Sequence, residues 1–200
     1  MSAQTHVKIC GITRVEDARS AEAAGADAIG FIFVPNTKRF VSTALADSIS
    51  RSLGPFIGKV GVFRDASLEE ILETLKVVRL TAVQLHGSEA DAVAAEVSRH
   101  IAVIRAVSYG DALSEAETLH IDGLEPGSGQ AFDWKALDTS SLKNRRWLLA
   151  GGLNPENVAA AISVLHPWGV DVSSGVESAP GVKDHAKIKA FVRAAKTAAS

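Results

Sequence analysis

The stretch Val7–Thr13, with the sequence Val-Lys-Ile-Cys-Gly-Ile-Thr, joins the first predicted strand of the chain to the loop that follows it. Residues 6–10 form the kind of short apolar run that is typical of a β-strand, and Gly11 is a residue at which such a strand ends. Thr13 then offers a side chain that can open a helix. The only cysteine of the chain, Cys10, therefore falls at the carboxyl end of this strand. It is either a small buried hydrophobic residue or a chemically active thiol, and its position beside a loop favours the second interpretation.

The alternation of strand and helix that begins here continues to the end of the chain. Eight short runs rich in β-branched residues predict strands, and most of the segments between them have helical periodicity. The predicted strands span residues 6–10, 27–33, 57–63, 80–84, 101–107, 118–122, 146–150 and 168–172. Because a parallel pair of strands needs a long crossover, strands separated by helices are expected to run parallel.

Two predicted helices carry clear end signals. The helical segment 17–24 stops at Gly25, and Ser67 with Glu70 has the spacing of a capping box. Eight strand–helix units leave about 25 residues each, which is close to the minimum for a closed (β/α)₈ barrel. An open doubly wound sheet is the alternative, but it usually has a glycine-rich turn after its first strand. We therefore predict an α/β fold, a single-domain TIM barrel over residues 1–200.

Composition excludes several classes of function. The 21 basic and 23 acidic residues are spread evenly and give a net charge of -2, so no basic face predicts binding to nucleic acid or to an anionic membrane. A single cysteine excludes an internal disulfide framework. The opening residues 1–6 lack the apolar run of a signal peptide, and no apolar run in the chain reaches the length of a membrane span. These features predict a protein of the reducing cytoplasm.

In a closed barrel, the loops at the carboxyl ends of the strands build the active face. The glycine pair Gly151 and Gly152 follows strand seven, and the residues Ser173, Ser174 and Gly175 follow strand eight. Such residues offer bare backbone amides where barrels commonly hold a phosphate, so we predict a phosphate site there. The alternative is that the glycines only satisfy turn geometry. The histidines show no metal-ligand spacing, and we predict no metal site.

Six motifs together resemble the phosphoribosylanthranilate isomerase family. They are Lys8–Thr13, Gly30–Phe33 ahead of Arg39, Gln84–Gly87, Phe132–Trp134, Ala150–Leu153 and Asp171–Glu177. The family is a (β/α)₈ barrel of tryptophan biosynthesis that works without a cofactor. The resemblance implies an Amadori rearrangement of N-(5-phosphoribosyl)anthranilate to an open-chain 1-deoxyribulose 5-phosphate, with this small phosphosugar as the binding partner.

The resemblance also implies roles for individual side chains. It makes Cys10 the general base, Asp122 the general acid, Arg39 the partner of the anthranilate carboxylate and Asp171 a hydrogen-bonding partner of the sugar. His86 is either a packed structural residue or a substrate contact. From the residues alone, Asp122 and Asp171 could instead cap loops, and Arg39 could be a solvated surface arginine.

The chain departs from the family pattern in two loops. Thr37 and Lys38 stand where the family commonly has Ser-Pro, which predicts a differently shaped loop around Arg39. The stretch 122–130 is short and carries Pro126 where a second glycine is frequent, which predicts an abbreviated lid over the substrate.

Other functions remain open on the sequence. A related barrel isomerase of histidine biosynthesis would need an aspartate where this chain has Cys10. An epimerase or aldolase would need a metal cluster or a Schiff-base lysine. A phosphosugar-binding barrel without turnover would keep the phosphate loops alone. The sequence also leaves open whether the protein is a monomer or a homodimer.

Overall fold

The computed structural model describes residues 5–89, 91–108, 116–122, 139–142 and 145–198. Within these ranges, eight parallel strands close into a barrel in sequence order, and the last strand pairs with the first. The strands are β1 (His6–Ile9), β2 (Ala28–Ile32), β3 (Gly58–Phe63), β4 (Ala82–Leu85), β5 (Ala102–Ser108), β6 (Thr118–Asp122), β7 (Arg146–Leu149) and β8 (Gly169–Val172). The predicted TIM barrel is confirmed. That residues 1–200 form one domain stays a prediction.

Every predicted strand overlaps an observed one. The largest difference at a strand start is in β4, which begins at Ala82, two residues after its predicted start. The reason is local, because the N–H of Leu80 donates to the carbonyl of Val78 in the turn that precedes the strand. The β-branched runs therefore predict the positions of the strands, and local turns decide the residue at which a strand begins.

Helices cover the outside of the barrel. They are α1 (Val15–Ala24), α2 (Thr43–Arg51), α3 (Leu68–Val77), α4 (Asp91–Ser98), α5 (Val158–Leu165) and α6 (His185–Ala198). The predicted end signals are confirmed at two of them. Gly25 adopts a left-handed conformation after α1, and its N–H donates to carbonyls of the last turn. Ser67 and Glu70 form the capping box at the start of α3.

The predicted role of Thr13 as a helix opener is wrong. Arg14 is the residue before the first turn of α1, and it makes no capping hydrogen bond. The hydroxyl of Thr13 instead donates to the carbonyl of Gly181 at 2.6 Å, far along the chain. This hydroxyl therefore ties the loop after β1 to the segment that follows β8.

That segment contains a small hairpin which the strand pattern did not predict. Strands β9 (Glu177–Ala179) and β10 (Val182–Lys183) pair antiparallel beside the barrel. The helices of the described residues are a separate matter, and none of them is long and apolar enough to cross a bilayer. The hairpin lies between β8 and α6, so it belongs to the loop that carries the predicted phosphate residues.

On four of the strands, β1, β4, β6 and β8, a buried polar residue faces the barrel interior. On β1, Val7 and Ile9 join the buried cluster that also contains Ile188 and Phe191 of α6. The residue between them, Lys8, is only 2% exposed. The corresponding buried positions on β4, β6 and β8 are Gln84, His120 and Asp171. Because burying polar groups is unfavourable unless they are paired, this polar interior indicates a functional site rather than a packing layer.

Candidate active site

A cavity of about 250 Å³ opens at the carboxyl ends of the strands. The structure brings together in its lining nearly all of the side chains and loop residues predicted for the site. These are Cys10, Arg39, His86, Asp122, Gly151, Gly152, Asp171, Ser173 and Ser174. Gly175 differs, since it is not among the cavity-lining residues. The residues predicted from the sequence therefore lie around one cavity at the carboxyl ends of the strands.

Asp171 is the centre of a buried ionic cluster below the cavity. Its Oδ2 lies 2.8 Å from Nζ of Lys8 and 2.8 Å from Nε2 of His120. Burial alone would raise the pKa of Asp171, but Lys8 and His120 outweigh it and hold the pKa well below its ordinary range. The other oxygen, Oδ1, is buried and has no hydrogen-bond partner among the described residues. A hydroxyl group of a ligand in the cavity could supply that partner.

Lys8 and His120 were missed from the sequence, although a signal for both was present. Side chains alternate between the two faces of a strand, so Lys8 shares the barrel interior with Cys10, and His120 shares it with Asp122. A lysine two residues before the candidate base is therefore placed to influence its charge. The period of two along each strand could have identified both residues.

Cys10 is 7% exposed and lines the cavity. A Cβ atom added to Gly30 on the neighbouring strand would lie 2.7 Å from Sγ of Cys10 and 3.2 Å from Cε of Lys8. Both side chains therefore lie against the bare backbone of β2. Burial raises the pKa of the Cys10 thiol, and the charge of Lys8 is the main influence that lowers it. Burial therefore opposes ionisation of the thiol, and the charge of Lys8 favours it.

Asp122 enters the cavity from β6, across the barrel from Cys10. Its Oδ2 lies 3.7 Å from Nε2 of His86. Burial, aided by the charges of His120 and Arg64, lowers the pKa of His86 to about 4. The imidazole is therefore neutral near pH 7. Nδ1 of His86 lies 3.4 Å from Nε2 of Gln84, which orients the ring.

Arg39, in the wall of the cavity, forms an ion pair with Glu177. Its Nε and Nη2 each donate to Glu177 at 2.8 Å, so one edge of the guanidinium is fully occupied by a carboxylate. Glu177 also accepts from Nζ of Lys183 at 2.9 Å. The interpretation of Arg39 as a freely solvated surface residue is therefore wrong. Glu177 and Lys183 were not predicted as partners of Arg39.

The loops after β7 and β8 form the part of the rim where phosphate was predicted. Gly151 and Gly152 have positive φ angles of 88° and 65°, so their turn geometry does require glycine. Within the described part of the chain, no acceptor pairs with the backbone N–H of Gly152 or Ser174. The two amides remain available to an anion in the cavity.

Gly175 joins these two loops by close approach. A Cβ atom at this position would lie 1.9 Å from the carbonyl oxygen of Leu153. Only a residue without a side chain allows the backbone after β8 to pack on the backbone after β7. Gly175 therefore sets the distance between the amides of the two loops, although it does not itself line the cavity.

Replacing Gly175 by alanine is expected to raise KM for a phosphorylated substrate. Overpacking at such a contact costs about 1–3 kcal/mol, and about 1.4 kcal/mol corresponds to a tenfold loss of affinity. Steady-state kinetics would measure the change. Gly25→Ala is the matched control, because it strains a positive φ of 90° at the opposite end of the barrel and should lower stability without changing KM. An unchanged KM in Gly175→Ala would mean that the loop spacing has no bearing on binding.

Two sequence predictions lie outside the described residues. They are the abbreviated lid predicted for the stretch 122–130, of which only Asp122 is described, and the motif Phe132–Trp134. Among the residues that the structure describes, no group of three or more His, Cys, Asp or Glu side chains is arranged to hold a metal ion. That the protein needs no metal and no cofactor stays a prediction.

The fold and the site together define a class of protein. A closed eight-stranded barrel, with a thiol, carboxylates and free amides around one cavity at the carboxyl ends of its strands, is a (β/α)₈-barrel enzyme.

Comparison with known proteins identifies the family within this class. The model of the N-(5'-phosphoribosyl)anthranilate (PRA) isomerase family matches residues 7–194, and the chain belongs to that family. The N-(5'-phosphoribosyl)anthranilate isomerase of Thermotoga maritima is 44% identical over 200 residues, which cover 95% of this chain and 98% of the relative. The resemblance noted in the sequence is thereby confirmed.

Solved structures agree with this assignment. The crystal structure of phosphoribosyl anthranilate isomerase from Thermus thermophilus has a TM-score of 0.88 and 41% identity, covering 95% of this chain and 98% of that one. A second phosphoribosyl anthranilate isomerase, in complex with reduced 1-(o-carboxyphenylamino)-1-deoxyribulose 5-phosphate, has a TM-score of 0.85 and 42% identity, covering 96% and 99%.

Proposed function

We propose that this chain catalyses the Amadori rearrangement of N-(5-phospho-β-D-ribosyl)anthranilate to 1-(2-carboxyphenylamino)-1-deoxy-D-ribulose 5-phosphate in tryptophan biosynthesis. The observation that carries the proposal is the convergence of Cys10 and Asp122 on one cavity from strands β1 and β6. These strands lie far apart around the barrel, so the two groups approach a bound sugar from different sides. Family membership and the product-like ligand of the related structure support this choice of substrate.

Asp122 supplies the proton for ring opening. The protonated carboxyl group donates to the furanose ring oxygen while the lone pair of the anilino nitrogen helps to break the bond between C1 and that oxygen. The products are an open chain with a hydroxyl group at C4, formed from the ring oxygen, and a protonated Schiff base at C1. His86, whose Nε2 lies 3.7 Å from Oδ2 of Asp122, is neutral near pH 7.

Cys10 removes the proton from C2. As the thiolate takes this proton, the electrons of the C2–H bond form the C1–C2 double bond and neutralise the Schiff base, which gives an enolamine. The enolamine then becomes the ketone by gaining a proton at C1 and losing one from the 2-hydroxyl group. The thiolate is the reactive form, and Lys8 is the buried cation that favours it.

Three further contacts hold the substrate. The phosphate binds at the amides around Gly152 and Ser174, and the free oxygen Oδ1 of Asp171 accepts a hydrogen bond from a sugar hydroxyl. The carboxylate of the anthranilate ring binds the guanidinium of Arg39, since a planar fork of N–H groups matches a carboxylate. His86 contributes by lining the cavity beside Asp122.

The binding partner is a small phosphosugar, and we place the reaction in the cytoplasm. A base that is a free thiol needs a reducing compartment, which agrees with this location. The test of the function is a fluorescence assay that follows consumption of freshly prepared phosphoribosylanthranilate. Turnover is expected. A purified protein that binds the substrate without consuming it would instead be a phosphosugar-binding barrel.

Replacing Lys8 by methionine is expected to raise the pKa of Cys10 further. An opposite charge in contact with an ionisable group favours its charged form, and Lys8 is the main influence that lowers the pKa of this thiol. The pH dependence of alkylation by iodoacetamide measures the shift, because Cys10 is the only thiol in the chain. The midpoint of the alkylation profile should move to higher pH.

The matched control is Lys59→Met, which removes another buried lysine, on β3 and away from the thiol. Its alkylation profile should match that of the wild-type protein. Circular dichroism confirms that each variant is folded before alkylation, since losing one partner of a buried ion pair destabilises a protein by about 3–5 kcal/mol. An unchanged midpoint in folded Lys8→Met would contradict the assignment.

A further inference from the structure

We infer that Glu177 is a positioning residue which, backed by Lys183, presents the free edge of Arg39 to the cavity and thereby makes the enzyme select ligands with a carboxylate on their aromatic ring. This inference rests on the proposed function, because it concerns the same substrate. It assigns to the hairpin β9–β10 a role in specificity.

The stem of Arg39 is pinned where it crosses the loop after β1. A Cβ atom at Gly11 would lie 2.7 Å from Cδ of Arg39 and 3.0 Å from Oγ of Ser173. The side chain therefore passes directly over the bare backbone of Gly11 on its way from the loop after β2 to Glu177. A long side chain that crosses in this way has little freedom to swing into another position.

The hydrogen bonds leave one edge of the guanidinium available. Nε and Nη2 donate to the two oxygens of Glu177, each at 2.8 Å. A guanidinium carries five N–H groups, so this pairing leaves the two on Nη1 and the second one on Nη2. These three N–H groups form the outer edge, which has the geometry for a second bidentate carboxylate. Arg39 lines the cavity, where a ligand can meet that edge.

Lys183 keeps Glu177 from cancelling the charge of Arg39. Its Nζ lies 2.9 Å from Oε1 of Glu177 and 3.0 Å from the carbonyl of Ser173, and the lysine side chain is fully buried. Two cations thus share one carboxylate, and the cluster has a net charge of +1. Binding of a ligand carboxylate brings the net charge of this cluster to zero. Without Lys183, Glu177 would compete with the ligand for Arg39.

Glu177 is itself held in place. Its side chain is buried, and its backbone carbonyl accepts a hydrogen bond from Nζ of Lys187 on α6 at 3.0 Å. Burial would raise the pKa of Glu177, but Arg39 and Lys183 outweigh it and lower the pKa, so the group stays ionised at neutral pH. The guanidinium is therefore ordered before the ligand arrives, and binding does not have to order it.

The test compares two stable probes by titration calorimetry. One is reduced 1-(o-carboxyphenylamino)-1-deoxyribulose 5-phosphate, and the other is the same compound without the carboxyl group. Glu177→Gln is expected to weaken binding of the first probe about tenfold and of the second less than about twofold. In steady-state kinetics, the same variant should raise KM with a smaller change in kcat. Glu73→Gln, on the exposed face of α3, is the matched control and should bind both probes as the wild-type protein does.

Arg39→Ala separates failure of this inference from failure of the proposed site. It should lower the preference for the carboxylated probe at least as much as Glu177→Gln does. If Arg39→Ala lowers the preference and Glu177→Gln does not, the positioning role of Glu177 is wrong while Arg39 keeps its assignment. If Arg39→Ala leaves the preference unchanged, Arg39 does not bind the carboxylate and the inference fails with it. Tighter binding of the carboxylated probe to Glu177→Gln would make Glu177 a competitor and would overturn the inference.

A second variant covers the case in which Glu177→Gln does not fold. Lys183→Met leaves Arg39 and Glu177 paired but removes the cation that balances them. The inference predicts a reduced preference for the carboxylated probe in this variant also. Any change in phosphate binding through Ser173 would affect both probes equally, so the ratio of their affinities remains the readout. An unchanged ratio would contradict the inference.

Discussion

Replacing Cys10 by alanine is expected to lower kcat by a factor of about 10²–10⁴, the usual contribution of one positioned general base. The thiol faces the cavity, and no other described thiol could replace it, since Cys10 is the only cysteine in the chain. The loss should arise in the removal of the C2 proton. The fluorescence assay for phosphoribosylanthranilate measures kcat directly.

Cys10→Ser is the companion variant, because it keeps the size of the side chain and replaces the thiol with a far weaker acid. It should lose activity to a similar extent and remain folded by circular dichroism. Turnover at the wild-type rate in either variant would return Cys10 to the role of a small buried hydrophobic residue. The base would then have to be sought elsewhere, and His86 would be the next candidate.

Replacing Asp122 by asparagine is expected to lower kcat over the same range of about 10²–10⁴, for a different reason. The amide has nearly the shape of the carboxyl group but cannot give a proton to the ring oxygen. Ring opening should become slow, so no open-chain intermediate should accumulate. Stopped-flow fluorescence under single-turnover conditions distinguishes this case from slow loss of the C2 proton.

The control for Asp122→Asn is Asp47→Asn on the outer helix α2, which removes a carboxylate that pairs with Arg51. It should leave kcat unchanged. If Asp122→Asn retains wild-type turnover, the acid lies elsewhere, and Asp122 has the structural role of a residue at the end of a strand. A loss of activity that accompanies loss of structure would be visible by circular dichroism and would exclude Asp122→Asn as evidence for either role.

The sequence predicted the barrel because the fold depends on local signals. Each strand is a short β-branched run, and end signals such as Gly25 and the Ser67–Glu70 pair act within a few residues. The capping role predicted for Thr13 is wrong because its hydroxyl donates to the carbonyl of Gly181, which is 168 positions away in the sequence. Threonine is a residue type that often caps helices, but here its hydroxyl makes a tertiary contact instead.

The same distinction explains what was predicted of the site. The residues that line the cavity lie at strand ends, so the fold alone brings Cys10, Asp122 and Asp171 together. The period of two along a strand could place Lys8 and His120 in the barrel interior, but no local pattern shows which groups far along the chain they contact. Lys8 meets Asp171 across 163 positions of sequence, and Arg39 meets Glu177 across 138. The type of side chain was evident from the sequence, but the group that it contacts was not.

The family resemblance supplied roles that the residues alone left open. It assigned Arg39 to a substrate carboxylate, and the structure adds that Glu177 already occupies one edge of the guanidinium. It assigned a base to Cys10, and the structure adds that burial works against ionisation of the thiol while Lys8 favours it. The role of Arg39 therefore has to be tested together with that of Glu177, and the role of Cys10 together with that of Lys8.

In the proposed mechanism, Cys10 removes the C2 proton and Asp122 opens the ring. A substrate deuterated at C2 of the ribose tests it most directly, through the isotope effect on the single-turnover rate. In Cys10→Ser, loss of the C2 proton should limit the rate, so deuterium should slow turnover. In Asp122→Asn, ring opening should limit the rate, and the isotope effect should be close to one. A full isotope effect in Asp122→Asn, together with none in Cys10→Ser, would contradict the assignment of the two residues.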